Sequence, residues 1–256
     1  MNSFEKFSQL HEQKSPLLLG NIWDVQSANA YESAGYEAIG TSSQAVAVAN
    51  GYQDGEQLPF AVLHALAKRV VEVVKIPFTV DIEGGYDRNI TGIIQHIEKL
   101  HDVGVAGINL EDTIAEDSRK QLSAGEFGAL LAEVTNYIAQ NNLKIFINVR
   151  TDGFLLGLPN ALEETLNRIK VYEEAGASGI FTPCITAADD IKAVVSATKL
   201  PINVMCMPNL PDFATLEQLG VKRISIGPFL FSKVYANTTK LAEAIRDEQN
   251  FGVLFK

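Results

Sequence analysis

The sequence predicts an α/β chain folded as a (β/α)8 TIM barrel, and three observations carry that reading. Short runs rich in Val, Ile, Leu and Phe recur eight times along the 256 residues, stretches of helical periodicity separate them, and four of the joins share one pattern. Near-continuous apolar runs without alternation belong to strands covered on both faces, as in parallel sheets. Strands and helices that alternate with tight joins imply parallel strands and right-handed crossovers.

The elements follow in chain order. Residues 1–14 (MNSFEKFSQLHEQK) read as a polar leading helix or arm. The first strand falls at 17–24 (LLLGNIWD), where Asp24 is suited to cap a helix beginning near Gln26. The second falls at 37–43 (EAIGTSS), and the helix over 59–74 opens on Pro59, a good first-turn residue. The third and fourth strands, 77–83 (PFTVDIE) and 105–112 (VAGINLED), precede helices over 90–103 and 123–141. The fifth, 144–152 (KIFINVRTD), precedes a helix over 160–175 with apolar positions three and four apart. Shorter helices over 187–198, 211–219 and 235–248 follow strands at 179–184 (GIFTPC), 201–207 (PINVMCM) and 222–228 (KRISIGP). The joins SAGYEAIG, DVGVAGINL, EAGASGIF and QLGVKRISI each carry a helix end, a Gly for the left-handed C′ position, and then a strand. An open doubly wound sheet is the alternative, but GNIWDVQSAN after the first strand offers one Gly and no GxGxxG. No Pro/Gly/Ser linker divides the chain, so 1–256 reads as one barrel domain, with a final helical stretch over 232–256 whose apolar end (FGVLF) can dock on a partner subunit.

Composition narrows the function classes. With 21 basic and 31 acidic residues the net charge is −10, and no basic run offers a nucleic-acid groove. Hydrophobic residues at 46% and charged residues at 20% fit a folded chain rather than a disordered one. No apolar run approaches the length of a membrane span, and residues 1–14 lack the apolar core of a secretory signal. Two cysteines, Cys184 and Cys206, make no disulfide framework, so the expected compartment is the cytoplasm. Both are read as buried apolar fillers, and His11, His64, His96 and His101 as surface or interface residues.

Barrel enzymes build their sites at the C-terminal ends of the strands. Here those ends carry Trp23-Asp24, Thr41-Ser42-Ser43-Gln44, Asp81-Ile82-Glu83, Asn109-Leu110-Glu111-Asp112 and Asn148-Val149-Arg150-Thr151-Asp152, with Asn203 on the seventh strand. Asp81, Glu83, Glu111 and Asp112, with Asp54 in the loop after the second strand, make a carboxylate cluster; Asp81 and Glu83 share a face by period-two alternation. So many negative charges in one cleft repel unless a cation neutralises them, and oxygen-only ligands suit Mg²⁺ or Mn²⁺. Arg150 supplies a bidentate donor for a carboxylate or phosphate, and the Ser42-Ser43 turn can serve a second carboxylate. Trp23 is expected to line the pocket, in contact with substrate.

These residues, in the order GNIWDVQSANAYESAGYEAIGTSS, GYQDGE, VDIEGGYD, GINLEDT, INVRTD, FTPC, PINVM and LGVKRISIGP, resemble the isocitrate lyase/phosphoenolpyruvate mutase superfamily, and most of all its short phosphonomutase-like branch. The resemblance implies a (β/α)8 barrel, a last helix swapped between subunits of a homodimer or homotetramer, and Mg²⁺ holding a small α-oxocarboxylate or its enolate. It implies Asp81 as the direct metal carboxylate, with Asp54, Glu83 and Glu111 acting through bound waters. It also implies Arg150 and Glu111 as catalytic groups, Ser42, Ser43 and Gln44 as the loop for a carboxylate, and Asn203 as a further substrate contact. Departures choose the reaction. The stretch TIAEDSRKQLSAGEF has neither the Cys nor the His of the isocitrate lyase loop, and offers Arg119-Lys120 in place of the mutase loop's Lys and Asn. The expectation is therefore a Mg²⁺-dependent lyase or decarboxylase cleaving a C–C bond of a small 2-oxo or 2-hydroxy (di)carboxylate through a pyruvate enolate. Phosphoenolpyruvate mutase or phosphonopyruvate hydrolase chemistry, and a non-catalytic binding barrel, are the alternatives. Tyr86, Glu111 and Arg119 stay open as the acid or base, and the polar loop over 113–125 is expected to close on the site.

Overall fold

The computed structural model describes residues 2–115 and 119–255. Its strands are β1 (Leu17–Ile22), β2 (Ile39–Thr41), β3 (Phe78–Asp81), β4 (Gly107–Glu111), β5 (Thr113–Ala115), β6 (Arg119–Gln121), β7 (Phe146–Arg150), β8 (Gly179–Phe181), β9 (Ile202–Met205) and β10 (Arg223–Ser225). All but β5 and β6 close one barrel of parallel neighbours, sealed where Leu18 of β1 pairs with Ile224 of β10. The eight strands fall inside the eight apolar runs. The remaining pair, β5 and β6, forms an antiparallel hairpin after β4, where the sequence showed only a polar loop.

The helices are α1 (Ser3–Leu10), α2 (Val25–Ser33), α3 (Ser43–Ala49), α4 (Phe60–Val73), α5 (Ile90–Asp102), α6 (Ala124–Gln140), α7 (Ala161–Glu174), α8 (Ala188–Ser196), α9 (Phe213–Leu219) and α10 (Phe229–Glu248). Asp24 does cap α2, its carboxylate accepting from the Ser27 N–H. Gly220 ends α9 at φ 89°, a left-handed value that lets the chain turn straight into β10; a side chain there would be strained. The other three junction glycines are left-handed as well. Helix α3 was not anticipated.

Two apolar clusters hold the barrel. The larger joins the outward faces of the strands to α2–α9. The smaller, Phe7, Leu10, Leu17, Leu19, Ala38, Ala106 and Phe146, is a plug at the N-terminal end of the barrel, closed from below by α1. His11 belongs to that plug, contrary to the surface reading: it is 6% exposed and stacks on Phe146 with ring centroids 4.6 Å apart. The cysteine reading also fails, because both lie past the strand ends: Cys184 is half-buried and Cys206 exposed. Helix α10 has no buried residue and exposes Phe229, Leu230, Val234 and Tyr235. No helix among the described residues is long and apolar enough to cross a membrane.

Candidate active site

At the C-terminal mouth the strands surround a cavity of about 340 Å³. Of the residues singled out in the sequence, Ser42, Ser43, Gln44, Asp54, Asp81 and Arg150 line it. Leu155, Phe181, Met205, Met207 and Phe229 add an apolar wall, which strengthens any charge interaction inside by displacing water. Ser42 caps α3, its Oγ accepting from the Ala45 N–H at 3.3 Å, so the turn is rigid where it meets the cavity.

Asp81 ends β3 and is 7% exposed. Its Oδ1 accepts from the Glu83 N–H at 3.0 Å and its Oδ2 from Asn109 Nδ2 at 3.1 Å. Burial pushes its pKa up, against the pull of the Arg150 guanidinium. Arg150, at the end of β7, is clamped by Asp152: Nε donates to Oδ1 at 2.6 Å and Nη2 to Oδ2 at 2.9 Å. Nη1 stands 2.8 Å from Glu111 Oε2. A guanidinium carries five N–H groups, and Asp152 takes two of them, so one hydrogen on Nη2 and the two on Nη1 beside Glu111 remain.

Other expected residues take different places. Trp23 packs edge-on against Phe231, 5.3 Å between centroids, in a groove between α2 and α10, and is not on the cavity wall. Glu83 leaves the face of Asp81 because the strand stops at Asp81 and Glu83 adopts φ 49°, which breaks the alternation. Its carboxylate instead accepts from the Glu56 N–H at 3.0 Å and from the Tyr86 hydroxyl at 3.2 Å; burial and the nearby Asp54 raise its pKa to about 7. Glu111 lies behind the wall, 2% exposed, as the shared counter-ion of Arg119 and Arg150, and burial raises its pKa well above the usual range. Asn203 sits inside the barrel below the cavity, its Nδ2 donating to Val204 O at 2.7 Å. Asp112 faces outward from the barrel, accepting from Arg168 at 3.1 Å and Tyr172 at 2.8 Å.

The hairpin after β4 supplies what the sequence left unassigned. Arg119 Nη2 donates to Asp54 Oδ2 at 2.6 Å and Nη1 to Glu111 Oε1 at 3.1 Å, so the hairpin lies across the carboxylates; residues 116–118, part of the loop expected to close, lie outside the described residues. Asp152, Asn109 and Arg223 also belong to the site and were given no role. Asp152 and Asn109 were visible at strand ends. Arg223 gave only the signal of a charged residue inside an apolar run.

The donor set fits a hydrated divalent cation better than a fully caged one. Among the described residues no three His, Cys, Asp or Glu side chains come close enough to hold an ion together. Hard cations of this type keep several waters and take one or two carboxylates, which Asp81 and Asp54 on the wall provide. Asp54 Oδ1 is buried and has no hydrogen-bond partner among the described residues, the acceptor that an ion-bound water would satisfy. Arg119 neutralises Asp54 and Glu111 as the hairpin now lies, so it and a cation compete for the same charge.

Comparison with known proteins gives the family. An uncharacterized protein of Mycobacterium tuberculosis strain H37Rv is 34% identical over 94% of this chain and 89% of its own length. Oxaloacetate decarboxylase of Paraburkholderia xenovorans is 29% identical over 89% of this chain and 77% of its own. The crystal structure of a Burkholderia cenocepacia J2315 protein, named a candidate phosphonomutase, superposes with a TM-score of 0.89 at 34% identity, covering 94% of this chain and 99% of that one. The family model for phosphoenolpyruvate phosphomutase matches residues 7–246, and with a barrel whose strand ends carry these acids and arginines, the chain belongs to that family.

Proposed function

We propose that this chain is a Mg²⁺-dependent lyase that cleaves a C–C bond of a small 2-oxo or 2-hydroxy dicarboxylate, with decarboxylation of an oxaloacetate-like substrate as its simplest form. One observation carries the reading: Asp81 and Arg150 line the same cavity, the first free to hold a cation and the second retaining N–H groups at its tip. The likeness to an oxaloacetate decarboxylase supports it. Mn²⁺ would serve as Mg²⁺ does; the bound ion supplies electrophilic polarisation of the 2-oxo group.

The protein's own groups do the rest. Asp81 holds the cation, and Asp54, Glu83 and Glu111 act around it, chiefly through water. Arg150 binds the substrate carboxylate next to the oxo group, and Ser42, Ser43 and Gln44 border it. Glu111 and Asp152 fix the guanidinium plane, so no reorganisation is needed as charge develops. From a 2-oxo substrate the C–C electron pair moves into the enolate of pyruvate as carbon dioxide or a carbonyl product leaves, and a proton from solvent then adds to carbon 3. From a 2-hydroxy substrate the hydroxyl gives up its proton as its carbon becomes the carbonyl product, and the pair passes to the carbon next to the departing carboxylate, which takes up a proton. The apolar wall around Phe181 and Met205 keeps bulk water from the enolate.

Phosphorus–carbon chemistry on the same scaffold is the second reading, favoured by the 34% identity to the Burkholderia protein. A combined ¹H and ³¹P NMR time course with Mg²⁺, oxaloacetate, 2-hydroxy dicarboxylates, phosphoenolpyruvate and phosphonopyruvate separates the two. Enzyme-dependent pyruvate with a static phosphorus spectrum supports the lyase; a moving phosphorus signal replaces it with the mutase or hydrolase reading; silence in both overturns catalysis on these substrates. We further propose that the exposed apolar face of α10 seats on a second copy, giving a homodimer or homotetramer with the last helix exchanged. Light scattering that returned a monomer would remove this.

A further inference from the structure

The barrel interior holds a guanidinium that the chemistry above does not use. Arg223 opens β10 on its inward face, beside Asn203 of β9 and Leu17 of β1. It is 1% exposed and ranks first by volume among the fully buried side chains. Below it lies the plug, with Arg223 Cζ 5.7 Å from the centre of the Phe7 ring. Above, Nη2 makes a long contact of 3.5 Å to Asn109 Oδ1, while Nε and Nη1 have no hydrogen-bond partner among the described residues. Burial drives its pKa down to about 9, with Asp81 the opposing influence, so the group remains a cation at neutral pH.

Among the described residues no carboxylate pairs directly with that charge, and Asp81 acts on it only from a distance. Arg223 lines the floor of the central cavity with Asn21, Asn109 and Ser225. The acceptor oxygens there are already engaged: Asn21 Oδ1 by the N–H groups of Ile226 and Gly227, Asn109 Oδ1 by Asn148, and Asn203 Oδ1 by Asn148 as well. The floor therefore has more donors than acceptors and a guanidinium with no paired carboxylate, and an unpaired buried charge costs stability. Water would satisfy the N–H groups and leave the charge. A carboxylate supplies acceptors and charge together, and its single negative charge matches one guanidinium better than a phosphoryl dianion does.

We propose that Arg223 forms an anion subsite at the floor of the cavity that takes the second substrate carboxylate, the one that Arg150 does not hold. The assignment of that carboxylate to a substrate rests on the lyase reading; the affinity of the floor for an anion does not. The subsite makes the chain select dicarboxylates over monocarboxylates that share the same 2-oxo or 2-hydroxy acid end.

Calorimetric titration in Mg²⁺ with malate and with lactate, which lacks the second carboxylate, tests this on wild type, Arg223→Met and Arg223→Lys. The wild type should prefer malate by about tenfold or more, the value of a charge-assisted hydrogen bond. Arg223→Met should bring the two ligands to near parity with lactate affinity unchanged within about twofold on that same scale. Arg223→Lys, which keeps the buried cation and serves if the Met variant does not fold, should give an intermediate preference. A preference unchanged in the variants overturns the subsite, as does a parallel loss of malate and lactate, which marks a structural role alone. Chloride or acetate that raises the melting temperature of wild type but not of Arg223→Met, with the malate preference intact, assigns the floor to a free anion and removes the substrate role. A barrel that turns over no oxo acid yet shows the Arg223-dependent malate preference keeps the subsite and loses the lyase reading.

Discussion

Arg119 of β6 and Asp54 of the loop after β2 meet at 2.6 Å across the mouth of the barrel, tying the hairpin down over the carboxylates. The side chain of Arg119 is 26% exposed and also touches Glu111 at 3.1 Å, so it is the principal cation that the carboxylates see from above. Arg119→Ala should release the hairpin: amide exchange over Thr113–Ala115 and Arg119–Gln121 should quicken by about tenfold or more, the worth of charge-assisted hydrogen bonds in a half-buried site. The same change should tighten Mg²⁺ binding measured by calorimetry, because one competing positive charge is gone. Unchanged exchange would show that the hairpin is held by its own backbone and by the Gln121 contact to Asp112.

Asp81→Ala should abolish turnover and spare the fold. Burial already raises the Asp81 pKa, so the ionised carboxylate is a burden on the folded state that the substitution relieves. Turnover, followed as pyruvate release, should fall by at least about a hundredfold, typical of removing a group that organises transition-state charge. The urea midpoint should stay near that of wild type. A variant that kept full activity would sink the role of Asp81 in holding a cation.

Outside the barrel, Arg168 of α7 is the sole guanidinium against Asp112 among the described residues, donating to its Oδ2 at 3.1 Å and to Leu122 O at 2.9 Å. Asp112 is 0% exposed, so Arg168→Ala leaves a buried carboxylate without its cation. The expected loss is about 3–5 kcal/mol of unfolding free energy, read from urea titration. A loss under about 1 kcal/mol would mean that Tyr172 and Gln121 hold the charge without help.

How far the sequence could carry this reading depends on what each residue's neighbours do. The barrel strands were legible because a run such as FTVD or FINVR, apolar on both faces, has few other places to go. Helix α3 was not, because SQAVAVA is short and alternates small with β-branched residues, which reads as the end of a strand. Asp54, Asp81 and Arg150 reached the cavity as the strand-end rule requires. Glu83 did not, since its left-handed backbone turns the side chain away, and no pattern in VDIEGG announces that value. Arg119 was visible as a residue but its partners were not, for they depend on a hairpin that folds back by long-range pairing. Arg223 and His11 show the same limit from inside: a charged residue at the start of a strand, or a histidine in a polar segment, gives no sign that it will be buried or which end of the barrel it will face.

His11 makes the folded state sensitive to acid. Its ring stacks on Phe146, Nδ1 donates to the Phe7 carbonyl at 2.9 Å, and Nε2 has no partner among the described residues. Burial, with the Arg223 charge in the same direction, lowers its pKa from 6.5 to about 3. Below pH 6.5 the unfolded chain takes up a proton at His11 that the folded chain refuses until about pH 3. The unfolded state therefore binds more protons through that window, and stability falls as pH falls, by about 1.4 kcal/mol per pH unit from this one group. His11→Phe keeps an aromatic ring in the plug and removes the titration. Urea unfolding at pH 7.5 and 5.5 should show wild type losing about 1.4 kcal/mol more than His11→Phe over that step. Equal losses in the two proteins would mean that the ring already takes up its proton in the folded state, and that water reaches Nε2 through the plug.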